Sequence, residues 1–394
     1  MRSNYKQLGE FIRQVDVRNT EGKEENLLGV SVQKMFIPSI ANTVGTDFSK
    51  YKVVKRGQFT YIPDTSRRGD KIGIALLEDY DEGLVSNVYT VFEVIDTHKL
   101  IPEYLMLWFS RPEFDRYARY KSHGSVREVL DWDEMCKVEL PVPSYEEQLE
   151  IVKSYRTISE RIELKQKIND NLSQIADALF QQTFLSENAD SWEDGCFNEY
   201  IINSFGGDWG QAEPGGNYTE EVVCVRGTDI PALNIGSISE APKRYILPKN
   251  LVSKKVLANN MVVEISGGSP VQATGRIALV PKQVLEYHSQ NLICSNFCKV
   301  VQVQEKYAYY FLQYWLYLYR NGRMFDYENS STGLKNFDFT SFTTKEPIKL
   351  PPEDISMAFN KKIEPIYGEM FNAGFEIEQL KAAQALILPQ LMLR

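Results

Sequence analysis

Histidine is almost missing from this chain and cysteine is sparse: three histidines (His98, His123, His288) and five cysteines (Cys136, Cys196, Cys224, Cys294, Cys298) are scattered through 394 residues. No two histidines stand at ligand spacing, which disfavours histidine-rich metal sites and histidine-based hydrolases. The odd, dispersed cysteines suit reduced thiols. We expect Cys294 and Cys298 to share one face of a strand as buried core residues, with no second pair to complete a metal site. Long apolar runs are also lacking. The longest, around Tyr307–Tyr319, is too short and interrupted for the ~20 residues of a membrane span, and Met1–Arg18 has no signal-peptide apolar core. A cytoplasmic protein without membrane partners is expected. Positive charge is not in excess either: the formal net charge is −9, unlike a simple nucleic-acid coat.

The motifs of common enzymes are missing in the same way. There is no phosphate-binding GxxxxGK[ST] loop, since Gly268 to Gly275-Arg276 has the wrong spacing and no lysine. Phe205-Gly-Gly-Asp-Trp-Gly210 is glycine-rich but lacks the strand-then-helix setting of a dinucleotide or S-adenosylmethionine site, so it reads as a structural turn. No Gly-x-Ser-x-Gly elbow occurs. Asp131, Asp133 and Glu134 flank Trp132 without a nuclease partner motif. Catalysis is expected to reside elsewhere, and neither a catalytic nor a metal-binding residue is assigned.

What the chain does have is an internal repeat with an offset near 210 residues. Lys71-Ile-Gly-Ile-Ala-Leu76, Leu84-Val-Ser-Asn-Val-Tyr-Thr-Val-Phe-Glu-Val94 and Ile101–Phe109 are answered by Arg276–Leu279, Leu292-Ile-Cys-Ser-Asn-Phe-Cys-Lys-Val-Val-Gln-Val303 and Tyr307–Leu316. A glycine-bearing loop follows in each half, Ser122-His-Gly-Ser-Val-Arg127 and Ser330-Ser-Thr-Gly-Leu-Lys335. Then comes a proline step, Leu140-Pro-Val-Pro143 and Leu350-Pro-Pro352, and a long helical pattern. A length of 394 residues accommodates about two to three domains of ~100–200 residues. Short segments bounded by Gly, Asn or Pro, such as Tyr51–Val54, Gln58–Ile62 and Met261–Ile265, read as strands. Pro102–Arg119 and Lys306–Arg320 read as helices whose aromatics belong to cores.

Two long helices close the repeats. Ser144-Tyr-Glu-Glu147 makes a capping box, and Ile151, Tyr155, Ile158, Ile162, then Ile168, Leu172, Ile175, Leu179 form an apolar stripe with one slip. The C-terminal stripe runs Phe359, Ile363, Ile366, Met370, Ala373, Ile377, Leu380, Gln384, Ile387, Leu391, and Pro365, Gly368 and Gly374 are expected to kink or delay that helix. Each spans ~60 Å at ~1.5 Å per residue, and antiparallel pairing of the stripes is the economical arrangement. The expectation is an α+β chain with a pseudo-twofold repeat. Residues 1–143 and 186–350 form two mixed, mainly-β domains separated by two long helices, 144–185 and 351–394, packed as an antiparallel coiled coil.

The repeated loops carry residue types that approach phosphates and base edges, and basic clusters flank them. The candidate DNA-binding residues are Lys55, Arg67, Arg68, Lys121, Ser122, Gly124 and Arg127 in the first domain, and Arg226, Lys243, Arg244, Arg276, Ser331, Thr332 and Lys335 in the second. With Glu139-Leu-Pro-Val-Pro-Ser-Tyr-Glu-Glu-Gln-Leu-Glu-Ile151, Ile348-Lys-Leu-Pro-Pro352, the ending Leu388-Pro-Gln-Leu-Met392, Gly124-Ser-Val-Arg-Glu-Val-Leu-Asp-Trp132 and Val225-Arg-Gly-Thr-Asp-Ile230, the chain resembles the specificity subunit of Type I restriction–modification systems over nearly its whole length.

That resemblance implies two target-recognition domains, each reading one half of a split, asymmetric site in double-stranded DNA. It also implies that the helices dock two adenine methyltransferase subunits, with restriction and translocase subunits joining where present. S-adenosylmethionine, ATP and Mg are then expected in those partners and no cofactor in this chain. Two departures stand out: the second half lacks the counterpart of Gln148, and Pro365 intrudes, so the second helix is expected to pack less regularly. The acidic balance leaves isolated DNA affinity weak. The alternatives are a fused restriction or modification enzyme, which needs a motif not found here, and a two-domain coiled-coil interaction protein that ignores DNA.

Overall fold

A strand entering and leaving each domain, and a proline two residues beyond the end of the exit strand, set the frame of the structure. The computed structural model describes residues 5–39, 45–64, 71–122, 128–269, 271–331 and 334–391. They form two units, Met1–Glu160 with Ala382–Arg394, and Arg161–Lys381. Each unit holds one globular domain together with a stretch of both long helices.

In the first unit a four-stranded antiparallel sheet runs in the order Ile12–Val15, Thr90–Val94, Phe59–Tyr61, Ile74–Leu76. In the second the order is Ile201–Gly206, Cys298–Val303, Asn260–Glu264, Ile277–Val280, again antiparallel throughout. The two sheets are the same topology built twice, so the internal repeat is structural. A short antiparallel pair closes each domain, Tyr5–Gln7 with Glu139–Pro141 and Asp194–Gly195 with Ile348–Lys349. The proline step follows, and a long helix starts. The smaller second sheets differ: Lys52–Lys55 pairs Glu82–Val85 in the first unit, whereas Lys243–Ile246, Glu220–Val225 and Leu292–Cys294 make three strands in the second.

Aromatics fill both cores, as expected from their spacing. Phe59 stacks on Phe92 with centroids 4.9 Å apart, and Tyr310, Phe311 and Trp315 on the helix Ala308–Arg320 are fully buried. The segment expected as one helix over 102–119 is two, Pro102–Phe109 and Pro112–Lys121. Pro112 forces the break, because the residue before a proline is driven out of the helical region and Arg111 is extended at φ −76°, ψ 140°. Cys294 and Cys298 are buried, but they end one strand and begin another in a different sheet, because the turn at residues 295–297 separates them.

The first long helix is continuous over Tyr145–Phe184. Its capping box is formed: the Ser144 amide donates to the Glu147 carboxylate at 3.0 Å and the Glu147 amide donates to the Ser144 hydroxyl at 3.3 Å. Gln148 is buried, accepting from the Ile101 amide and donating to the Lys99 and Pro143 carbonyls, which latches the helix onto its domain. In the second half Ser356 takes that place. It is fully buried and donates to the Lys306 carbonyl at 2.7 Å, so the missing glutamine is replaced by a shorter latch.

The second long helix runs unbroken from Glu353 to Leu391, so neither Pro365 nor the glycines delay it. Burial outweighs propensity here: Phe359, Ile363, Tyr367, Met370 and Phe371 are all core residues. Gly374 is required by packing, since a Cβ there would overlap the Ile235 carbonyl oxygen. The two long helices pair antiparallel within each unit. In the second, Phe184 meets Phe359 edge-on at 4.8 Å while Lys165 reaches Glu376 at 2.6 Å. In the first, Ile151 shares a core with Leu388 and the Gln384 amide donates to the Ser159 hydroxyl. The stripe expected over 168–179 is rotated: Ala176, Phe180 and Phe184 are buried, while Ile168 and Ile175 are exposed. Phe180 and Phe184 pack on Tyr310, Tyr314 and Phe359, and these larger rings pull that face of the helix inward.

Candidate nucleic-acid interface

In the second unit the segments that follow and precede neighbouring strands converge on one cleft of about 680 Å³. Ser266–Gly268 continues the strand Asn260–Glu264, Ser295–Phe297 precedes Cys298–Val303, Arg226–Thr228 follows Glu220–Val225, and Trp209 and Leu334 complete the rim. At its floor Arg276 grips Glu264 with two hydrogen bonds of 2.8 and 2.6 Å, and the side chains are only 13% and 2% exposed. The pairing follows from register: these strands are antiparallel with Val263 opposite Ile277, which puts Glu264 opposite Arg276. Gly227 is packed so closely that a Cβ would overlap the Glu264 carboxylate.

Other cations of the expected set gather around the same cleft with partners of their own. Arg226 closes on Asp229 at 2.9 and 2.8 Å and donates to the Glu240 carbonyl. Arg244 lies 4.4 Å from the Trp209 ring centroid and donates to the Trp209 carbonyl. Lys335 pairs with Glu328 at 2.8 Å. Burial works against ionisation of Glu328, but Lys335 and the Thr274 amide and hydroxyl outweigh it and hold its carboxyl below the ordinary value. Lys243 meets Glu221 across neighbouring strands. The structure therefore brings Arg226, Arg244, Arg276 and Lys335 together, and each is already engaged by an internal partner. Exposed groups stand at the rim: Thr228, Asn296, Phe297, Leu334 and Trp209. Asn296 and Phe297 had no role assigned from the sequence, and their signal was the repeat; Trp209 stood in the segment expected as a structural turn, with no signal of its own.

The first unit has the counterpart, a cleft of about 480 Å³ lined by Ile62, Pro63, Asp64, Ser86, Val88, Tyr89 and Val129 among others. Lys55 is exposed at a different cleft with Arg18, Lys23 and Glu82. Lys121 ends a helix within 3.8 Å of Glu134, and the buried Ser122 hydroxyl donates to the Ala118 carbonyl. Arg67, Arg68, Gly124, Arg127 and Thr332 lie outside the described residues, as does the Ser331 side chain.

Burial pushes the Cys224 and Cys298 thiols up to about 12 and Cys294 well above its ordinary value, which keeps them protonated and inert. Among the described residues no group of three or more His, Cys, Asp or Glu side chains could hold a metal ion. No helix among them is long and apolar enough to cross a membrane.

Comparison with known proteins agrees with this geometry. Residues 10–174 match the family described as the Type I restriction modification DNA specificity domain. The chain is 23% identical over 314 residues to the Type I restriction enzyme MjaIX specificity subunit of Methanocaldococcus jannaschii, covering 76% of this chain and 70% of that protein. It is 28% identical over 136 residues to the Type I restriction enzyme HindI specificity subunit of Haemophilus influenzae, covering 34% and 29% respectively. In fold it is similar to the S subunit of a Type-I restriction-modification system from M. genitalium, with a TM-score of 0.57 at 11% identity over 98% of this chain and 95% of that one. The resemblance carried by the proline steps and the repeat is thus borne out: the family match over residues 10–174 and both relatives are of Type I DNA-specificity proteins.

Proposed function

We propose that this chain is the sequence-reading subunit of a Type I restriction–modification complex, each domain recognising one half of a bipartite, asymmetric site in double-stranded DNA. The observation that carries the reading is the duplication of a cleft on one repeated sheet topology, with exposed polar and apolar side chains at its rim. Floor cations locked to carboxylates shape such a cleft, and the rim is left to make contacts. A good bidentate contact to a base contributes ~1–3 kcal/mol of discrimination, so two modest readers multiply into useful selectivity.

The same reading assigns chemistry to partners. Two methyltransferase subunits would bring S-adenosylmethionine and flip the target adenine, a step that costs a few kcal/mol and needs the duplex to be clamped. Restriction and translocase subunits would bring ATP and Mg. Leu164, Ile168 and Ile175 are exposed on one face of the first long helix, an apolar strip that supports partner docking there. Reconstituting the chain with its methyltransferase and selecting bound duplexes from a randomised pool tests the proposal. Enrichment of one split motif supports it; enrichment of none, or the same motif without this chain, removes it.

A further inference from the structure

Each cleft is overhung by the same four-residue turn. In the first unit it is Ser86-Asn87-Val88-Tyr89, closed by the Tyr89 amide donating to the Ser86 carbonyl at 3.0 Å; in the second it is Ser295-Asn296-Phe297-Cys298, closed by the Cys298 amide donating to the Ser295 carbonyl at 2.9 Å. Both join a strand of the smaller sheet, Glu82–Val85 or Leu292–Cys294, to an inner strand of the four-stranded sheet, Thr90–Val94 or Cys298–Val303. Both present an exposed asparagine followed by an exposed large apolar residue, Val88 at 67% and Phe297 at 54%.

Turn chemistry does not demand this pair. Asparagine is favoured where a turn needs positive φ or a bond from the side chain to its own backbone. Neither Asn87 nor Asn296 has positive φ, and among the described residues neither side-chain amide is bonded within the chain. An apolar side chain raised into water at the same place in both domains gains nothing in folding. A carboxamide beside an apolar group is, however, the pairing that reads an A·T base pair in the major groove: the amide bonds adenine N7 and N6, and the apolar group touches the thymine methyl.

We infer that the Asn87-Val88 and Asn296-Phe297 turns are the paired base-reading elements, each specifying an A·T pair in its own half-site. The inference rests on the DNA-reading role proposed above and adds to it the residues and the base. The test uses the full chain reconstituted with its methyltransferase partner and sequences the duplexes that it selects, for the wild type, Asn87→Ala, Asn296→Ala and Phe297→Ala. Asn87→Ala should relax preference by about five- to a hundredfold at an A·T position of one half-site. Asn296→Ala and Phe297→Ala should both relax the A·T position of the other half-site. All three side chains are exposed, so thermal unfolding should match the wild type. Retention of the wild-type motif by both asparagine variants, or a loss shared equally by all sequences, overturns the inference while leaving the specificity role in place. A wild-type complex that selects no motif overturns the role itself.

Discussion

Replacing Arg276 by methionine separates a structural cation from a reading one. The change strands the Glu264 carboxylate, whose side chain is 2% exposed and whose hydrogen bonds come from Arg276. Breaking a buried pair by removing one partner costs about 3–5 kcal/mol. For a unit of the size of Arg161–Lys381, ~2–4 °C per kcal/mol translates this into a fall in Tm of about 6–20 °C. Glu264→Leu with Arg276→Met removes both charges and should recover most of the loss, as buried pairs replaced by apolar groups commonly do. The assay is thermal unfolding, followed by motif selection with the double variant. An unchanged motif assigns Arg276 to the floor of the cleft. A double variant that regains stability but loses preference at one base pair refutes that reasoning and makes Arg276 a reader.

Three further outcomes follow from contacts elsewhere. Lys34→Met should cost about 3–5 kcal/mol, because Lys34 is buried against Asp115 at 2.6 Å and Asp115 also accepts from the Ile72 amide. Burial holds the Lys34 ammonium below its ordinary 10.5 despite Asp115, so the unfolded chain binds more protons in that window. The stability gap between wild type and variant should therefore widen as pH rises through it, as denaturant titration at several alkaline pH values would read. Gly374→Ala should destabilise by ~1–3 kcal/mol, although the same change at an open helical position stabilises by ~0.5–1 kcal/mol; calorimetry distinguishes the signs. Lys165 foremost, with Arg161, holds the Glu376 carboxyl below its ordinary value against slight desolvation. Its contribution is present above the ordinary carboxylate value and lost as pH falls through the lowered one. Glu376→Gln should therefore lower Tm only slightly at neutral pH, by an amount that vanishes on acidification and in high salt.

Much of this architecture is written in local signals. The Ser144–Glu147 box, the proline steps and the order of apolar segments are short-range features, and they locate the long helices and the repeat. What was not legible depends on partners distant in sequence. Arg276 read as a DNA-binding cation because Glu264 lies twelve residues upstream across a strand pairing that only the register reveals. Lys34 and Asp115 come from separate elements, and nothing local marks either as buried. The rotation of the first long helix is set by Tyr310, Tyr314 and Phe359, so the periodicity of Ile168 and Ile175 alone misplaces the inner face. Pro365 carries a strong local signal that tertiary burial overrides. The site itself was half visible: Ser-Asn followed by an apolar residue stood in both halves as a repeat, but its exposure at a cleft required the fold.

The central claim is that this chain decides which duplex sequence is marked. Mapping adenine methylation across the genome of cells with and without the chain, the methyltransferase being present in both, tests it most directly. The account predicts marks at one split, asymmetric motif that disappear with the chain. Marks that persist unchanged without it, or that never depend on sequence, contradict the account.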